Sequence, residues 1–84
     1  MTTQEQTQYQ VQIMRDNFRR LREAKGWTIE TLSAHTGIDA DNLRAMESGG
    51  DFRMEYLMRL CRLYRVEPAA VFGPLPFDSE PESR

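Results

Sequence analysis

Eighty-four residues leave room for one small domain with a single core. Charged residues make up 29% and hydrophobic ones 39%, and no apolar run approaches the ~20 residues of a membrane span, so a transmembrane or wholly disordered chain is excluded. Thirteen acids against eleven bases give a net charge of −2, which argues against a nucleic-acid partner if that charge is spread evenly. The single cysteine, Cys61, rules out an internal disulfide and a multi-cysteine zinc site. The polar start, MTTQEQTQYQ, lacks the basic-then-apolar pattern of a secretion signal, and the expected location is cytoplasmic.

Residues 1–12 alternate glutamine with other types, from Gln4 to Gln12, and period two predicts an extended segment. A lone strand has no partner inside a helical domain, so the expectation is a flexible glutamine-rich arm. Two alternatives stay open: pairing with a second copy, and continuation into the first helix, because Tyr9, Ile13 and Asn17 are spaced four apart. From Ile13 the period changes. Met14, Phe18 and Leu21 fall on one helical face, and Lys25-Gly26 supplies a basic last turn and a terminator.

Thr28 is a good N-cap for a second helix carrying Leu32, which His35-Thr36-Gly37 ends. Asp39 caps a third helix running through Leu43 and Met46 to Ser48, broken by Gly49-Gly50-Asp51. A fourth, from about Met54 to Tyr64, presents Leu57, Leu60, Cys61 and Tyr64 on one face. Pro68 opens a short fifth helix through Val71 and Phe72. The domain therefore spans residues 13–73, and the acidic, proline-containing tail 74–84 is expected to be disordered.

Leu32, Gly37, Ile38, Leu43 and Met46 are spaced to pack the second helix across the third through a tight turn, with a small Ser33 at their closest approach. Here the chain resembles the lambda-repressor-like (Cro/Xre) family of helix-turn-helix DNA-binding domains. The likeness covers residues 17–73, about two thirds of the chain, and rests on LREAKGWT, LSAHTGI, AMESG and LMRLCRLYRVEPAAVF. It implies an all-α, five-helix bundle that binds duplex DNA as a symmetric dimer, with the third helix in the major groove. It also implies an ion pair between Arg22 and Glu47 that locks the first helix onto the third.

The same resemblance places Ala40, Asp41, Asn42, Arg44 and Ala45 on the base-reading face. Thr28 at the start of helix two, Arg19 and Arg53 would flank it toward phosphates. Asp41 could accept from a cytosine amino group. The chain departs from the family pattern at Ile29, where a phosphate-binding glutamine is usual, and at Gly50-Asp51, where a base is common. Charge by segment sharpens this departure. Residues 15–25 carry +3, residues 53–65 carry +3, and residues 27–51 hold one base, Arg44, against five acids, a net −4.

Two functions follow: a sequence-specific DNA-binding, repressor-like regulator, and a protein-interaction module whose acidic face binds a protein partner in place of DNA. Catalysis has no support. His35 lacks a second ligand or nucleophile, Cys61 is a packed thiol, and Gly49-Gly50 lacks the lysine of a phosphate loop, so no metal or cofactor is expected. Trp27 is expected to cover the core. Val66, Val71, Phe72, Leu75 and Phe77 leave apolar surface near the carboxyl end, the expected homodimer contact.

Overall fold

The computed structural model describes residues 3–75, with side chains from Gln6 onward. It contains four α-helices, α1 (Thr3–Ala24), α2 (Ile29–Thr36), α3 (Ala40–Ser48) and α4 (Met54–Tyr64), and a 3₁₀ turn at Pro68–Phe72. No strand occurs among the described residues. Helix α1 packs on α3 and on the 3₁₀ turn, while α2 packs on α3 and α4. The core is formed by Met14, Phe18, Leu32, Ile38, Leu43, Met46, Leu57, Leu60, Cys61, Tyr64 and Val71, while Leu21, read on the same stripe as Met14 and Phe18, packs partly buried against it.

The helix ends follow local chemistry. The Thr28 hydroxyl accepts from the Thr31 amide at 3.0 Å, and the Asp39 carboxylate accepts from the Asp41 amide at 3.0 Å. Gly37 closes α2 with φ +76°, a conformation a side chain would strain. An added Cβ there meets nothing closer than an Arg59 nitrogen at 3.9 Å, so the requirement is conformational, not steric. Gly50 is the reverse case: an added Cβ would lie 2.8 Å from the Ala45 Cβ. The turn between α2 and α3 also satisfies its own polar groups. Ser33 donates to the Ile38 carbonyl at 2.6 Å, and the Thr36 hydroxyl accepts from the Ile38 amide at 3.1 Å.

Two expectations are corrected. The first helix begins at Thr3, not Ile13, so the extended arm of residues 1–12 gives way to helix over the described part. Residues 6–10 are all exposed, so their alternation does not mark one buried face. Glutamine and glutamate are good helix formers, and the Tyr9, Ile13, Asn17 spacing continues the helical face. The fifth helix is a 3₁₀ turn. Its bonds run from the Ala70 amide to the Glu67 carbonyl and from the Gly73 amide to the Ala70 carbonyl, each spanning three residues. The tail beyond residue 75 lies outside the described residues.

Trp27 does cover the core edge, half-buried and stacked on His35 at 4.4 Å between centroids. The Tyr64 hydroxyl is buried without a hydrogen-bond partner. Its phenol is pushed well above the ordinary value of 10, by burial first and then by the nearby Glu47 charge. An acid whose folded pKa is raised keeps its contribution below the unfolded value and loses it as pH rises above 10. Tyr64→Phe is therefore expected to raise stability at neutral pH by about 1 kcal/mol, since an unsatisfied hydroxyl is removed. The same change should flatten the decline of stability above pH 10, read by urea unfolding across pH.

Candidate nucleic-acid interface

Helix α3 has nine residues and depends on α1 for its placement. Arg22 makes a two-pronged bond to Glu47, with Nε to Oε2 at 2.8 Å and Nη2 to Oε1 at 2.9 Å. Its Nη1 donates to the Trp27 carbonyl at 2.9 Å. The Glu47 hydrogen bond raises the Arg22 pKa against the opposing effect of burial, so the guanidinium stays charged. The pair implied by the family resemblance is thus present, with both side chains largely shielded from solvent.

A second clamp escaped the sequence reading. Arg15, buried on the same edge of α1 two turns earlier, donates to the carbonyls of Ala45 at 2.8 Å, Met46 at 3.0 Å and Gly50 at 2.7 Å. These acceptors sit at the carboxyl end of α3 and in the connection that follows, where the helix dipole also favours a cation. Its guanidinium lies 5.7 Å from the centre of the Phe52 ring. Asn17 is equally buried and donates from Nδ2 to the Val71 and Gly73 carbonyls, both at 2.8 Å, tying the 3₁₀ turn to α1. The signal lay in their position: Arg15 and Asn17 sit among Met14 and Phe18 on the buried stripe, where a polar residue needs a partner.

The outward face of α3 presents Asp41, Asn42 and Arg44 to solvent, while Ala40 and Ala45 are half-buried. Ala45 also has a packing role, since its carbonyl accepts from the Gly49 and Gly50 amides and from Arg15. Arg44 is engaged twice: Nη2 donates to Glu30 of α2, and Nη1 donates to Asp41 at 3.1 Å. Its side chain is still 51% exposed. Asp39, next to this face, is occupied as the cap of α3.

The flanking residues divide. Arg19, paired with Asp16 at 3.0 Å, lines one shallow concavity with Ile29, Arg44, Glu47 and Ser48. The structure therefore brings Arg19 and Arg44 to a common groove between α1, α2 and α3. Thr28 and Arg53 do not line it. Thr28 is committed to capping α2, and Arg53 precedes α4 with its guanidinium 5.8 Å from the Tyr56 ring centre. Ile29 packs partly against the core, which accounts for an apolar residue there. Among the described residues no cluster of three or more metal-ligating side chains occurs, and no helix is long and apolar enough to cross a membrane.

Residues 14–71 match the family model described as a helix-turn-helix domain, and the chain belongs to this Cro/Xre-like family. Neither a curated protein nor a solved structure gives a significant match.

Removing either clamp is expected to unfold α3 from α1. Arg15→Met should cost about 2–3 kcal/mol, because three carbonyls lose a charged donor. Arg22→Met should cost about 2–4 kcal/mol by leaving Glu47 without its partner, whereas the double change Arg22→Met, Glu47→Leu should recover most of that loss. Urea unfolding of the three variants checks both expectations.

Proposed function

We propose that the chain is a sequence-specific duplex-DNA-binding transcriptional regulator of the repressor type, acting as a homodimer. The observation that carries this reading is the geometry of α3. A short helix is fixed at its inner face by Arg15 and by Arg22 with Glu47, and its outer face holds Asp41, Asn42 and Arg44 free of core packing. A recognition helix needs a rigid seat and an exposed polar face of this kind. Asn42 and Arg44 are the base readers in this proposal, with Asp41 beside them and with Ala40 and Ala45 allowing close approach. Arg19, Arg53 and the amino end of α2 at Thr28 are assigned to the flanking phosphates in this proposal, although only Arg19 shares the groove with Arg44.

For the dimer, Val71 leaves the candidate contact, since it is fully buried in the core. Val66, Phe72 and Leu75 remain half-buried near the carboxyl end, and Phe77 lies outside the described residues. A sedimentation experiment returning only monomer at high micromolar concentration would remove this part of the proposal.

A second reading has one specific observation in its favour. The single base of residues 27–51 is held by two carboxylates, leaving the face acidic overall. Such a face suits a basic protein partner. The two readings separate on charge. Under the regulator reading, Arg44→Ala weakens duplex binding by about 1–3 kcal/mol and lowers its salt dependence. Asp39→Asn with Asp41→Asn keeps the helix cap and strengthens DNA binding; under the alternative it abolishes partner binding instead. Selection of bound fragments from a random duplex pool tests the regulator reading directly. Enrichment of an inverted repeat is expected, and no retained duplex at low salt would remove it.

A further inference from the structure

We propose that Glu30, reaching from α2 to Arg44, is a positioning residue that aims this arginine at guanine and makes the face selective for a G·C pair. The inference rests on the duplex-DNA reading of α3.

The carboxylate of Glu30 and the guanidinium of Arg44 belong to different helices of the helix-turn-helix, fourteen residues apart in sequence. Their bond therefore depends on how α2 crosses α3. Asp41, one turn earlier on α3, holds the other terminal nitrogen at 3.1 Å. Acceptors on two different helices bracket the guanidinium and bias its plane, although both carboxylates are themselves exposed. The pairing does not consume its donors. A guanidinium carries five N–H groups, and one bond at each terminal nitrogen leaves three, including one on each terminal nitrogen. Two suffice for the bidentate contact to guanine O6 and N7.

The alternatives on the same face are poorer. Across residues 27–51 Arg44 is the only base, so no other side chain there can make that contact from a charged donor. The acids that orient it also repel phosphates, which lowers sequence-independent attraction. Glu30 is itself exposed, with its side chain 67% accessible, so the fold does not need it. Beyond this bond it lies in the first turn of α2, where an acid complements the helix dipole.

The test uses the full chain and a random duplex pool, with wild type, Arg44→Ala, Glu30→Ala and Glu30→Gln, each first checked for an unchanged thermal transition. The pair whose base preference disappears in Arg44→Ala marks the contact. At that pair, wild type should prefer G·C over A·T by roughly 5- to 150-fold, the size of one bidentate contact. Glu30→Ala should lose most of this preference while binding non-specific duplex more tightly. Glu30→Gln keeps an acceptor without the charge, so it should retain most of the preference with the same gain in non-specific binding. If both variants gain affinity yet keep full discrimination, Glu30 acts only as a charge and the proposal is overturned, with DNA binding intact. A pool from which wild type retains nothing would overturn the DNA reading itself, a failure visible before any variant is compared.

Discussion

The seating of α3 on α1 is the interaction on which the remaining geometry depends. A nine-residue helix has little stability of its own, since nucleation is costly and few bonds repay it. Two arginines on one edge of α1, two turns apart, supply the rest. Arg22 grips the side of α3 through Glu47, and Arg15 binds the carbonyls at its end. The third Arg15 acceptor is Gly50, in the connection to α4, so a single side chain fixes both the end of α3 and the path that follows. The contact of Ala45 with Gly50 closes the same corner, which explains why Gly50 tolerates no side chain. Every residue on the outer face of α3 inherits its position from this inner one.

Legibility in the sequence tracks how local each determinant is. Thr28, Asp39 and Gly37 act within their own turns, so residue type and spacing were enough to place the ends of α2 and the start of α3. The core stripes were equally readable from period alone. Arg15 and Asn17 were not, because both donate to backbone carbonyls, and a carbonyl leaves no mark in the sequence of its partner. Only Arg22 announced itself, through the family resemblance that paired it with Glu47. The amino-terminal residues misled for a different reason. Burial imprints periodicity, and residues exposed all round carry none, so alternation among them reflected composition. The turn at Pro68–Phe72 shows a third limit: five residues cannot distinguish a bond spanning three residues from one spanning four.

The outer face was partly legible. The spacing of Asp41 and Arg44 is that of helical neighbours, and their pairing follows from it. The bond from Glu30 does not, because it requires the angle between two helices that only the packed turn defines. Segment counting placed a net −4 on residues 27–51, and the structure divides that sum into unlike parts. Glu47 faces inward and is neutralised by Arg22. Asp39 is used as a cap, and Glu30 and Asp41 share one arginine. Four of the five acids are therefore engaged by a neighbouring group, and together they still leave the surface without a surplus of positive charge.

That division changes what a low net charge means for a DNA-binding fold. Phosphate attraction is sequence-independent and raises affinity for every duplex alike, whereas base contacts distinguish one site from another. A face with a single base held by carboxylates forgoes much of the first while keeping the second. In the proposed regulator, affinity for a particular site would come from well-made direct contacts, doubled by the proposed dimer. Of the bases in residues 15–25 and 53–65, each segment at +3, Arg15 and Arg22 are committed to seating α3, and the others lie outside the helix-turn-helix and can supply only flanking attraction. On this view the acidity is compatible with DNA binding and sets its character, since a regulator with little non-specific affinity is released from bulk DNA and relies on its cognate site.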